Sequence, residues 1–242
     1  MQDFDTIRTH GAAGARSAAI DAGLRAYMNR VYGLMAFAMV ITGAVAFVVG
    51  NSPAMLQAIF GGPQKYLVMF APLIMVFVMG GMINKLSVAG AQMMFWAYSA
   101  LMGLSISFIF AVYTGMSIAQ VFLTTAIAFG GVSLYGYTTK KDISGWGSFL
   151  MMGVIGLVVA SIINIFLASS ALMFAVNVIG VLVFAGLTAY DTQRLKNDYL
   201  GMAQFGAGAD VMGKSAIMGA LSLYINFINM FMMMLSLFGD RE

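Results

Sequence analysis

The chain has 242 residues, 61% of them hydrophobic and only 9% charged, against roughly 45–50% and about 25% in a soluble domain. Seven bilayer-crossing helices of about 20 residues need about 140 apolar positions. The chain has about 148, so little is left for a separate soluble domain. With no cysteine, one histidine (His10) and a net charge of +3, disulfide frameworks, thiolate chemistry and a histidine–cysteine zinc site are excluded.

Residues 1–30 read as a cytosolic N-terminal tail. They lack the continuous apolar core of a cleavable signal, and the first apolar stretch is already long enough to span. Residues 31–238 read as a transmembrane domain with spans at Val31–Gly50, Tyr66–Ile83, Ala89–Val112, Ile118–Tyr137, Ser148–Leu167, Leu172–Gln193 and Ser215–Phe238. Residues 239–242 form a short C-terminal tail. Between spans lie turn-forming groups: Asn51-Ser52-Pro53 and Gly61-Gly62-Pro63, then Lys140-Lys141-Asp142 with Gly145 and Gly147. The longest connection is expected over Arg194–Lys214, with Gly201, Gly206 and Gly208. No strand-period alternation is present, and lipid could not satisfy an open backbone in any case. The fold class is therefore all-α integral membrane, with seven transmembrane helices.

Lysine and arginine set the orientation. With the N-terminus inside, Arg8, Arg16, Arg25, Arg30, Lys85, Lys140, Lys141, Arg194, Lys196 and Lys214 are cytosolic, and only Lys65 and Arg241 are external. Ten against two is a strong positive-inside bias, and it supports an odd number of spans. The basic tail is read as a topology anchor at anionic lipid headgroups rather than as a nucleic-acid site. The lipid bilayer is the first partner, in a multi-pass protein.

Asp191 is the only acid inside a predicted span, and ionisable groups at that depth are costly and usually functional. It is expected near the cytosolic, C-terminal end of the sixth span, where the helix dipole does not favour a carboxylate. Pairing with Arg194 at i+3, or simple hydration, is the plainer alternative. Asn177, fourteen residues earlier, and Thr188, three residues earlier, lie near the same face. The seventh span carries Ser215, Gly219, Ser222, Asn226, Asn229, Met233 and Ser236 at spacings of four and three. Such a stripe serves close helix packing with amides bonding across helices, or it lines a polar path. Both readings place the seventh helix inside the bundle.

No enzyme is indicated. An intramembrane aspartyl protease needs two carboxylates, and a serine protease of the bilayer needs a histidine there. The seventh span has no Schiff-base lysine, Lys214 lying only at its start. The run Met232-Met233-Met234 points to different sides of a helix, so it cannot chelate a metal together. The 23 methionines are read as packing filler.

Three motifs carry a resemblance. Ala189-Tyr190-Asp191-Thr192-Gln193 closes the sixth span and is followed by Arg194-Leu195-Lys196. Ala220 to Phe231 (ALSLYINFINMF) fills the seventh, and Ala100 to Ser105 (ALMGLS) lies in the third. In this order and spacing they are similar to the signature of the Bax inhibitor-1 family, over roughly Arg25 to Gly239, and most of all to its bacterial YccA-type inner-membrane branch. The resemblance implies an inner-membrane protein whose seventh helix is central and surrounded by the other six. It also implies a pH-sensitive calcium leak in some members, where two aspartates of the sixth and seventh helices share a proton. Asp191 matches the first. Asn226 stands where many members have the second, so the two-carboxylate switch is absent while the path is kept. Lys85 is the best match for a basic residue that contacts the acid in some members, and Arg194 is the nearer cation in sequence. No cofactor is implied; Ca²⁺ is the permeant ion, with Asp191 as its contact. A second reading is a regulatory interaction protein that modulates an FtsH-type membrane protease or a stress or cell-death response.

Overall fold

The computed structural model describes the backbone of residues 3–241 and the side chains of residues 18–241. The side chains of Arg8, His10 and Arg16 therefore lie outside the described residues. The chain forms α1 (Asp3–Gly50), α2 (Pro53–Phe60), α3 (Gln64–Met82), α4 (Val88–Ile106), a 3₁₀ turn (Ser107–Ala111), α5 (Gly115–Thr138), α6 (Trp146–Leu167), α7 (Ser170–Gln204) and α8 (Ala209–Phe238). Seven of these helices, α1 and α3 to α8, are long and apolar enough to cross a membrane. They are the seven expected spans; the sixth is α7 and the seventh is α8.

Local chemistry fixes four of the helix starts. Ser52, Ser87, Thr114 and Ser169 each accept a bond from a backbone N–H in the first turn of α2, α4, α5 and α7, which satisfies an otherwise orphan donor. Pro53 follows Ser52 at the first helical position, where its missing N–H costs nothing. α2 is a short helix within the first external connection and gave no periodic signal of its own. The α6–α7 hairpin turns in two residues. Ala168 is left-handed at φ 46°, and the Ser169 N–H donates to Asn164 Oδ1 at 3.0 Å.

Three helices run further than the apolar pattern suggests. α1 is already helical before Val31, and Leu24, Tyr27 and Met28 are buried. The expected connection over Arg194–Lys214 shrinks to residues 205–208, because α7 continues to Gln204 and α8 begins at Ala209. The physical reason is mutual packing of these polar extensions. The Tyr27 and Tyr199 rings lie 5.2 Å apart, and Leu195 is buried against α8 at Gly219. Hydropathy alone does not register such contacts, since the buried residues sit among exposed charges.

α8 is the most enclosed span, with 56% of its apolar window buried against 11% for α3 and α6. It packs chiefly on α7, α1, α5 and α4. α3 packs on α4, and α6 on α7. Close packing on α8 thus comes from four of the six expected helices, with α3 and α6 as outer flanks. Basic residues collect at one end of the bundle. There Lys214 Nζ lies 3.5 Å from the Asn84 carbonyl, Lys196 Nζ donates to the Tyr137 carbonyl at 2.9 Å, and Lys141 lies beside Gln193. At the other end the C-terminal residues dock. The Thr114 N–H donates to the Asp240 carbonyl at 3.0 Å, and Arg241 lies 5.7 Å from the Tyr113 ring centroid.

Candidate functional site

Asp191 is brought to α8 by the stripe predicted there. Ser222 Oγ donates to its Oδ2 at 2.6 Å, and Asn226 Nδ2 donates to the same oxygen at 2.8 Å. Asp191 is 6% exposed and Asn226 4%, so the Asn226 bond is buried, whereas the Ser222 bond is partly buried. Its other oxygen faces Arg194 Nη1 at 3.6 Å. Arg194 is half exposed and also reaches Asp198 at 3.7 Å, so this pair resembles a weak surface ion pair rather than a second clamp. Asp191 lies thirteen residues before the end of α7. The dipole effect fades within the last helical turn, so the expected dipole penalty at a C-terminus does not apply.

The rest of the stripe forms a seam. Ser215 Oγ pairs with Tyr27 Oη on α1 at 2.9 Å. At Gly219 a Cβ would sit 2.4 Å from a Leu195 methyl, so glycine lets α7 come close. Met233 seats its sulfur in the notch left by Gly180 of α7. Asn177 Nδ2 donates to Ser236 Oγ at 2.7 Å. Asn229 caps inward, donating to the Ile225 carbonyl of its own helix, and Thr188 does the same to the Phe184 carbonyl of α7. Five of the seven stripe residues therefore contact α7.

The five residues Ala189 to Gln193 divide among several neighbours. Ala189 presses its backbone against Gly136 of α5, where a Cβ would lie 2.3 Å from the Ala189 carbonyl oxygen. Tyr190 covers Gly147 of α6. Asp191 binds α8. Thr192 Oγ1 approaches Ser133 of α5 and Tyr32 of α1, at 3.5 and 3.4 Å. Gln193 accepts from the Ile143 N–H and donates to the Lys141 carbonyl, tying down the α5–α6 connection. In that connection the Ser144 hydroxyl and N–H hold the exposed Asp142 carboxyl below its ordinary range.

Beside Asp191 a cavity of about 290 Å³ opens between α6, α7 and α8. Met151, Phe184 and Leu187 form its apolar wall; Asp191, Arg194, Ser222 and Asn226 supply its polar side. It is open because α6 packs on α7 and not on α8. Lys85 is not at this site. It is exposed in the α3–α4 connection, and Arg194 is the cation that faces the acid. Among the described residues no three acidic or histidine side chains converge, so Asp191 offers a lone carboxylate rather than a chelating cage. Sequence reasoning missed Gln193 as a clamp and the buried Thr42–Tyr224 hydroxyl pair linking α1 to α8. The small residues Gly103 and Gly136 were the available signal for the close crossings.

Comparison with known proteins adds to this picture. Residues 24–242 match the family model described as inhibitor of apoptosis-promoting Bax1. An uncharacterized protein of Caulobacter vibrioides is 48% identical over 252 residues, covering all of both chains. The inner membrane protein YbhL of Escherichia coli K12 is 49% identical over 223 residues, 91% of this chain and 94% of the relative. A protein of Rickettsia prowazekii is 41% identical over 231 residues.

Proposed function

This chain belongs to the Bax inhibitor-1 family of multi-pass membrane proteins, and from that premise we propose that it is a pH-sensitive calcium leak gated around Asp191. The observation that carries the reading is a buried carboxylate bonded across the α7–α8 seam while bordering a cavity. The ionised carboxylate draws Ser222 and Asn226 to one oxygen and keeps the two helices together. Protonation weakens both bonds, because a hydrogen bond to a charged acceptor is about twice as strong as a neutral one. The seam then parts from the cavity towards Met233, a flexible side chain seated in the Gly180 notch. A single carboxylate lets a cation pass without trapping it.

The test is flux from liposomes holding purified protein, measured with a calcium dye across a pH series. Asp191→Ala should change the flux or its pH response by tenfold or more while expression changes little. Wild-type flux at every pH would refute the role of Asp191. Absence of flux from the wild-type protein would refute the leak itself.

A further inference from the structure

α1 and α5 both pack on α8 but scarcely touch each other. The gap between them is a groove made of three cavities of about 440, 550 and 490 Å³. The first two share Tyr32 and Phe129, and the second and third share Met39 and Phe122. Its floor is aromatic: the Phe227 ring of α8 lies 5.3 Å from Phe122 and 5.4 Å from Phe129. We propose that the inner part of this groove binds one anionic phospholipid, with its phosphate at Arg25 and one acyl chain running over Phe129 towards Met39.

The polarity of the groove is graded along its length. At the basic end of the bundle its wall includes Arg25, Asn29, Ser133 and Tyr137. Arg25 is exposed and forms no ion pair among the described residues. A second cation lies nearby, because Lys196 Nζ is bonded to the Tyr137 carbonyl and sits 5.4 Å from the Tyr137 ring centroid. Beyond Tyr32 the wall is apolar, with Ala36 and Ala126 leaving room between larger side chains. The third cavity has no charged residue. An anionic head with an apolar tail fits this gradient.

The alternatives fit less well. Water would find few partners in the apolar part. A peptide strand would leave its backbone unsatisfied in hydrocarbon. The length also agrees: Arg25 to Met39 is fourteen residues, or about 21 Å of helix, and one leaflet including its headgroups is about 20–22 Å. Two independent positions probe the two halves. Gly130 lines the first cavity and Gly43 the third, and a Cβ at either meets nothing within 4 Å. A Cβ at either position is therefore added at the groove wall without striking the protein.

The experiment is native mass spectrometry of the full chain, released from nanodiscs of equal phosphatidylglycerol and phosphatidylethanolamine. Wild-type protein should retain one phosphatidylglycerol with a preference of about tenfold, the scale of one charge-assisted contact. Arg25→Gln should reduce that preference to twofold or less. Gly130→Leu should lose the bound lipid, while Gly43→Leu keeps it. Equal retention of the two lipids by the wild-type protein overturns the headgroup assignment, with no substitution needed. Retention by Gly130→Leu at the wild-type level overturns the groove assignment.

Discussion

Removing both groups that hold Asp191 to α8 should open the seam at neutral pH. The perturbation is Ser222→Ala combined with Asn226→Leu, which deletes the donors at 2.6 and 2.8 Å and leaves side chains of suitable size. Two figures bound the effect. Interhelical bonds in membranes average about 0.6 kcal/mol, so two give about 1.2 kcal/mol and a shift of about eightfold in the closed–open balance. Bonds to charged groups start at about 1.5 kcal/mol, so two give about 3 kcal/mol and about 150-fold. Short donors on a buried carboxylate favour the upper figure, and rehydration of that carboxylate on opening pulls it down. Calcium flux from liposomes at pH 7 should therefore rise by at least about eightfold, with each single variant intermediate. A folded double variant whose flux stays within twofold of wild type would refute the clamp.

Three further outcomes follow from the same structure. Asn226→Asp places a second carboxylate beside Asp191 in reach of a shared proton, so the pH midpoint of calcium flux should move towards neutral; superimposable curves would break the proposed coupling between α7 and α8. Reporter fusions after Lys141 and Asp240 should report opposite sides of the membrane, cytosolic for the first, and a shared side would refute the proposed topology. Gly136→Ala should lower the melting temperature in detergent by the equivalent of about 1–3 kcal/mol, since its Cβ would meet the Ala189 backbone at 2.3 Å, whereas Gly201→Ala, with nothing within 4 Å, should be neutral or stabilising; equal melting temperatures would show that the α5–α7 crossing yields freely.

The spans were legible because each is an apolar run of membrane length, and the structure moves most of their ends by only a few residues. What escaped was helix continued by packing instead of by lipid. Leu195 is buried between Arg194 and Lys196, and Tyr199 is buried beside Asp198, so the run of α7 to Gln204 cannot be seen in a hydropathy average. The stripe on α8 was legible as a stripe, and its spacing of four and three already implied one face. Its partner was not, because a pattern on one helix does not name the helix opposite. The choice of Lys85 as the cation near Asp191 failed for the same reason: spacing within a span fixes depth, and it does not fix azimuth around the bundle.

Consecutive residues on a helix point about 100° apart, so a motif of five adjacent residues cannot build one compact ligand site. Ala189 to Gln193 instead meet α5, α6, α8, α1 and the α5–α6 connection in turn. Such a segment is best understood as the hub on which the bundle is assembled. Within it Ala189 and Tyr190 act by shape, and Thr192 and Gln193 through neutral hydrogen bonds. Asp191 is the segment's one carboxylate, and its bonds go to the most enclosed helix. Under the proposed gating, a change of charge at this one position would alter the hold between α7 and α8 while the contacts to α1, α5 and α6 keep α7 in place. A gate needs this combination, in which one joint is adjustable and the others are fixed.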